Sequence, residues 1–153
     1  MEEHERWMKE ALREAAADPR EVPVGAAVVK DGRLIALARN ERESGDPTAH
    51  AEVLALRRAA EKLGTRRLSG CTLYVTLEPC PMCAGAAVMA EVSAVVFGAE
   101  DERQGCCGSV YALPQDPAFF RRARVTGGVL REECAALLTA FFAGRRKENV
   151  KDP

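Results

Sequence analysis

The chain has 153 residues, of which 47% are hydrophobic, 29% charged and 5% aromatic. These fractions argue against a disordered or fibrous chain, and the length predicts a single domain over residues 1–153. The formal charge of −1 excludes a strong overall attraction to nucleic acid. The charge is uneven, because residues 1–120 hold 14 basic and 19 acidic side chains (−5) and residues 121–153 hold 8 and 4 (+4). A local basic patch is therefore expected in the last segment.

The predicted elements begin with a helix from His4 to Ala17, which carries apolar residues at helical spacing and stops at Asp18-Pro19. A β-branched run from Val22 to Val29 predicts a strand. Asp31-Gly32 then supplies the chemistry of a two-residue hairpin turn, and the chain returns over Leu34 to Ala38.

A second helix is predicted to start at Asp46-Pro47, with aspartate as the amino-terminal cap and proline in the first turn. We expect it to end at Gly64 and to bury one apolar face, made of Val53, Leu56, Ala60 and Leu63.

The second half alternates strands and helices. The expected order is a buried strand over 73–77, a helix from Pro81 to Met89, a strand over 94–97, a strand near Val125 and a last amphipathic helix from Glu132 to Arg146. This alternation predicts a three-layer α/β domain with the sheet in the middle. The first two strands should pair antiparallel, and the later strands, which are joined through helices, should run parallel.

The six cysteines do not indicate disulfides. The amino terminus is charged and lacks the apolar core of a signal peptide, and no stretch approaches the roughly eighteen apolar residues of a membrane span. We therefore expect a cytoplasmic protein without membrane contact. In that reducing compartment a cysteine pair indicates metal binding or catalysis.

Three side chains form a candidate zinc site. Cys80 and Cys83 are three residues apart, which places both sulfurs on one side of the first turn of a helix. Helix amino termini favour thiolates. His50, separated from Cys80 by 29 residues, would complete three corners of a tetrahedron. A zinc ion with three protein ligands and one open position is the catalytic arrangement.

Glu52 is the candidate general acid/base of this site. Residues two apart point roughly 200° away from each other on a helix, so His50 and Glu52 converge only if the metal lies off the open helix end. A carboxylate beside a zinc-bound water acts as a general acid/base, and the hydroxide so formed attacks an electron-poor carbon. The alternatives are a structural zinc site and a redox pair, and the redox pair leaves His50 and Glu52 without a role.

In these motifs the chain resembles the zinc-dependent nucleobase deaminase superfamily, and within it the bacterial tRNA-specific adenosine deaminases. The matching blocks cover nearly the whole chain; they are residues 22–26, 46–52, 72–80, 82–86, 95–99, 127–130, 133–134 and 141–142. The resemblance implies a three-layer α/β/α, cytidine-deaminase-like fold with a mixed five-stranded sheet. It also implies one zinc ion per chain, a homodimer, and conversion of adenosine to inosine at the wobble position of a tRNA anticodon stem-loop.

The same resemblance assigns roles to individual residues. His50, Cys80 and Cys83 would bind zinc, and Glu52 would shuttle protons during attack at C6 and release of ammonia. Asn40 would contact the substrate nucleotide, although a structural role in the turn at the end of a strand is an equally good interpretation. The backbone amides near Ala51 and Cys80 would lie next to the metal.

Phe142 would contact the RNA, although Phe141 and Phe142 also suit the core face of an amphipathic helix. Two groups of basic side chains suit either phosphate contacts or a solvated helix end; they are Arg145, Arg146 and Lys147, and Arg121, Arg122 and Arg124.

Several positions depart from the tRNA enzymes. Met89 and Glu91 replace a polar residue and an arginine, Arg66 replaces an aromatic residue, and Phe120-Arg121 replaces an Asn-His pair. Glu91 would repel RNA if it faced the path of a phosphate.

These departures leave two other functions open. One is a deaminase of a free base or nucleoside of the guanine, adenine or cytosine type, and the other is a non-catalytic zinc and RNA-binding domain. Cys106 and Cys107 occupy positions where the family has two alanines. They are interpreted either as packed thiols or as a second metal-binding or redox pair.

Overall fold

The computed structural model describes the backbone of residues 2–151 and the side chains of residues 2–146. Four helices, five strands and one short 3-10 turn (Arg42–Ser44) follow one another. In chain order they are α1 (Glu2–Ala15), β1 (Gly25–Lys30), β2 (Arg33–Arg39), α2 (Ala51–Leu63), β3 (Cys71–Leu77), α3 (Pro81–Ala90), β4 (Ala94–Ala99), β5 (Arg124–Thr126) and α4 (Arg131–Lys151). None of the helices within these residues is both long and apolar enough to cross a bilayer.

The strands form one mixed sheet in the order β2-β1-β3-β4-β5. β1 pairs antiparallel with β2 and with β3, whereas β3, β4 and β5 run parallel. Both predicted strand directions are confirmed. The hairpin between β1 and β2 turns at Asp31 and Gly32, whose φ angles of 51° and 70° are those of the expected two-residue turn.

The two faces of the sheet carry separate apolar clusters. α2 and α3 cover one face and pack on side chains such as Val28, Leu73 and Val95. α1 and α4 cover the other face, where Met8 and Cys134 contact the opposite side of the same strands. The predicted three-layer α/β/α fold is confirmed, and the central strand β3 is buried on both faces.

The prediction for α2 was wrong at its start. The helix begins at Ala51, five residues after Asp46, because the Asp46 carboxylate accepts hydrogen bonds from the amide (2.9 Å) and hydroxyl (2.8 Å) of Thr48 and closes a separate turn. The predicted end at Gly64 is confirmed, with a φ of 67°.

The buried face of α2 also differs from the predicted one, because Val53, Ala60 and Leu63 are only partly buried. Leu56 is common to both faces. The buried residues are Ala51, Glu52, Ala55, Leu56 and Ala59. Their mostly small side chains let the helix lie close to the sheet, so the buried face is not the one with the largest apolar residues.

Gly25 marks the closest approach of α1 to the sheet. A Cβ atom at this position would overlap the backbone carbonyl of Ala11, and a helix backbone cannot move aside as a side chain can. We expect Gly25→Ala to lower the free energy of unfolding by about 2 kcal/mol or more, the range of overpacked cores.

The matched control is Gly144→Ala in α4, where a Cβ meets nothing within 4 Å. This variant should be neutral or more stable by up to about 1 kcal/mol, because alanine is the better helix former. Urea unfolding of both variants measures the difference, and equal stability of the two would refute the close approach.

Candidate metal centre

His50, Cys80 and Cys83 meet at the carboxyl end of β3. The Nδ1 atom of His50 lies 3.6 Å from the Sγ of Cys80 and 3.4 Å from the Sγ of Cys83. Tetrahedral zinc with its usual bonds to sulfur and nitrogen requires separations of about 3.5 Å between such atoms. The donor set and its spacing therefore fit a zinc ion. Among residues 2–146 this is the one group of three or more potential ligand side chains that lies close enough to bind a metal.

Two helix starts place these donors. His50 is the residue before α2 and Cys80 the residue before α3, both with extended backbone angles, and Pro81 opens α3 as predicted. The amino-terminal ends of both helices therefore face the donors and favour negative charge there. The thiol of Cys83 hydrogen-bonds the sulfur of Cys80, which lowers the pKa of Cys80 to about 5 and raises that of Cys83.

Glu52 lies beside the donors without belonging to their group. It is buried in the first turn of α2, and burial raises the pKa of its carboxyl group to about 7. Cys83 is among the groups that shift this pKa, which indicates that the carboxyl group lies near its sulfur. His50 and Glu52 converge because His50 precedes the helix with a ψ of 147°, so the two do not obey the helical spacing.

Asn40 connects the end of β2 to the start of α2. Its Oδ1 accepts a hydrogen bond of 2.9 Å from the amide of Ala51, and its Nδ2 donates to the carbonyl of Val22 at 3.3 Å. The buried side chain thus caps α2 from a distance, which leaves the His50 imidazole available to a metal. Its contact with substrate, and that of the Ala51 amide, stay predictions. One amide hydrogen of Asn40 Nδ2 is not used by Val22.

Glu78 is a site residue that the sequence analysis missed. Its fully buried carboxylate accepts hydrogen bonds from the amides of Asp101, Cys107 and Ser109 at 3.0–3.1 Å, and from the Ser109 hydroxyl. The loop therefore closes around an anion two residues before Cys80. A glutamate directly before Pro79 at a strand end was the available signal, but it reads equally well as a strand terminator.

The same loop contains Cys106 and Cys107. Both are buried free thiols, and the Cys106 amide donates to the carbonyl of Pro79 at 2.8 Å. Neither belongs to a group of potential metal ligands within residues 2–146. The structure favours the reading of packed thiols in alanine positions over a second metal site.

Phe142 lies in a surface groove rather than in the core. It is 46% exposed, and with Phe141 it lines a depression of about 720 Å³ that reaches Val22 and Pro47. Arg145 lies at the same groove, with its guanidinium 5.1 Å from the Phe141 ring and bonded to the carbonyl of Arg20. The Lys147 side chain lies outside the described residues.

Glu91 does not present a free negative charge. Its carboxylate pairs with Arg121 at 2.5 Å and with Arg67 at 3.5 Å. The repulsion of RNA that the sequence suggested is therefore compensated by two guanidinium groups. The other departing positions, Met89, Arg66 and Phe120, are exposed, and none of them contributes to the donor group.

Comparisons with known proteins agree on one family. Residues 2–131 match the model of the MafB19-like deaminases. The tRNA-specific adenosine deaminase of Bacillus subtilis is 51% identical over 151 residues, which cover 97% of this chain and 94% of that protein.

Two solved structures share the fold. A structure of tRNA:A34 deaminases, which edit A to I at the wobble position of transfer RNA, superposes with a TM-score of 0.82 at 43% identity, over 87% of this chain and 99% of that one. Guanine deaminase from Nitrosomonas europaea superposes with a TM-score of 0.78 at 32% identity, over 91% and 84%.

Zinc content separates ligands from the neighbouring carboxylate. We expect Cys83→Ala to lose bound zinc, because only two protein ligands remain, whereas Glu52→Ala should keep about one ion per chain. Elemental analysis of the purified variants after dialysis measures this. A zinc-free Glu52→Ala variant would mean that Glu52 is a ligand.

Glu78 should tune the metal centre from outside it. In Glu78→Gln one acceptor oxygen becomes an NH₂ group that faces backbone amides, so the loop loses hydrogen bonds. We expect zinc affinity to fall about 10-fold or more, as it does when the groups that orient metal ligands are removed. The control is Glu100→Gln, which alters an exposed pair with Arg131 and should leave affinity unchanged. Competition with a chromophoric chelator measures both, and equal affinities would contradict a positioning role for Glu78.

Proposed function

This chain belongs to the MafB19-like deaminase family, and from that premise we propose that it converts adenosine to inosine at the wobble position of a tRNA anticodon. The observation that carries the chemistry is the arrangement of His50, Cys80 and Cys83, with the carboxyl group of Glu52 buried beside them and outside their group. The tRNA substrate is supported by the 51% identity to a tRNA-specific adenosine deaminase over nearly the full length of both chains.

In this proposal His50, Cys80 and Cys83 hold the zinc ion. Zinc in such a site acts as a Lewis acid and lowers the pKa of water to near neutrality. Glu52 accepts one proton from the water that adds to C6 of the base and delivers it to the departing nitrogen. The balance is water and adenosine consumed, inosine and ammonia formed. A carboxyl group held beside the donors can take up a proton in the first step and return it in the second.

The anticodon loop would reach the centre through the groove of Phe141 and Phe142. Recognition of RNA loops relies on unstacked bases that lie on aromatic rings and on guanidinium groups near phosphates. The groove supplies both, since Phe142 is exposed and Arg42 and Arg145 line the same depression. Asn40 and the amide of Ala51, which adjoin the donors, are proposed to contact the extruded nucleotide.

A free-base deaminase is the less favoured reading. It has support from the guanine deaminase structure, but the identity to that protein is 32%, against 51% for the tRNA enzyme. The charge compensation of Glu91 also removes the main sequence argument against an RNA substrate. A non-catalytic zinc domain would have no use for Glu52.

The remaining expectations concern organisation and location. We propose one deaminase domain over residues 1–153, since α4 contributes Cys134 to the core; Met1 and Asp152–Pro153 lie outside the described residues.

A homodimer is supported by exposed apolar side chains such as Met89, 81% exposed, which a second copy would cover. Six free thiols are consistent with a reducing cytoplasm.

The decisive assay offers the purified zinc protein an anticodon stem-loop with adenosine at the wobble position, beside free adenine, guanine and cytosine. We expect inosine in the stem-loop and no ammonia from the free bases. Glu52→Ala serves as the control and should reduce the rate by at least about 100-fold, since it removes the proton carrier. Ammonia from guanine alone would replace the proposed function with the free-base reading.

A further inference from the structure

The cluster of Glu91, Arg67 and Arg121 lies at the opposite end of the parallel strands from the metal centre. Arg67 precedes β3, Glu91 follows α3 and Arg121 precedes β5, so all three lie where the parallel strands begin. The centre lies where β3 ends. α3 spans the two places, and its ten residues measure about 15 Å along the axis.

Within this cluster the carboxylate is largely buried, whereas the guanidinium groups are exposed to solvent. The Glu91 side chain is 16% exposed, whereas those of Arg121 and Arg67 are 49% and 62% exposed. Arg121 also stacks over the ring of Phe120 at 5.4 Å, and that ring is 92% exposed. The outward surface is therefore positive, with one bare aromatic ring beside it.

Local preference does not explain a glutamate at this position. Glu91 caps α3 with a φ of 62°, a left-handed conformation that glycine or asparagine adopts more easily. A helix carboxy terminus also favours cations over carboxylates. The two guanidinium groups are the contacts in the structure that compensate these costs, so the residue and its arginines form one unit.

A small cavity adjoins the unit. It measures about 190 Å³ and is lined by Ser69, Ser93, Arg121 and Arg122 together with Glu91. Guanidinium groups and hydroxyls are the side chains that bind phosphate oxygens. We call the five exposed arginines of this region the arginine surface; they are Arg66, Arg67, Arg121, Arg122 and Arg124.

We propose that the arginine surface binds the phosphate backbone of the RNA outside the deaminated loop, and that Glu91 limits this binding by neutralising one charge on Arg121 and Arg67. A phosphate must displace the carboxylate from Arg121 to contact that guanidinium. The inference rests on the proposed RNA substrate. It adds a second RNA contact region, which lies one length of α3 from the metal centre. It also makes the Glu91 carboxylate a competitor of the RNA phosphates for Arg121.

Salt dependence of binding tests the proposal, because each phosphate contact by a cation adds about 0.7–0.9 to the slope of log affinity against log salt. The probes are the anticodon stem-loop and a single strand of the loop alone, bound to wild type, Glu91→Gln, Arg121→Gln and the double variant. The matched control is Glu10→Gln, which removes one partly exposed carboxylate from its ion pair with Arg13 on α1.

We expect Glu91→Gln to bind the stem-loop about threefold or more tightly at low salt, with a slope steeper by roughly one contact. The gain should exceed that of Glu10→Gln, vanish in the Arg121→Gln background and be absent for the loop strand. A gain equal to that of Glu10→Gln would overturn the proposal. So would a change in sedimentation of the RNA-free protein, which would assign the surface to a second copy of the chain.

Inosine formation by the wild type is followed in the same samples. If inosine forms but Glu91→Gln does not change RNA binding, the proposed function is supported and the proposal that the arginine surface binds RNA is refuted. If Glu91→Gln strengthens RNA binding but no inosine forms, the arginine surface is supported as an RNA contact and the proposed reaction is refuted.

Discussion

The hydrogen bond between the Asn40 side chain and the Ala51 amide is the interaction on which the centre depends. It sets the first residue of α2, so that His50 stays outside the helix with an extended backbone and Glu52 lies in the first turn. Had His50 been the second residue of a regular helix, its ring and the carboxylate of Glu52 would point apart. The convergence of a ligand and an acid/base at two-residue spacing follows from where the helix begins.

Much of this organisation follows from the sequence by simple rules. The two thiols three residues apart after Pro79, the hairpin at Asp31-Gly32 and the parallel second half all depend on local chemistry that a reader of the sequence can apply. The start of α2 and the role of Glu78 do not, because both depend on partners far away in the chain. Asp46 is a residue type that commonly caps helices, but here it closes a turn with Thr48, and the distant Asn40 binds the amide of the first helical residue instead.

Charge is the property for which the sequence was most misleading. Glu91 viewed alone is an acid where an RNA-binding surface would have a base, and the near-zero total charge offers no correction. Arg67 and Arg121 are 24 and 30 residues away from it along the chain, and only the fold shows that they share its carboxylate. The sign of a surface is thus a property of tertiary contacts more than of composition.

The two outer strands of the sheet restrict how copies of this chain can associate. β5 is three residues long and starts with the charged Arg124, while β2 is bounded by Arg33 and Arg39 and has the carbonyl of Leu37 occupied by the Arg58 side chain at 2.8 Å. Short or charged edges resist the addition of a further strand. An assembly of two chains would then join through helices or loops and not through a continuous ten-stranded sheet, and the same blunt edges would protect the chain against fibrillar aggregation.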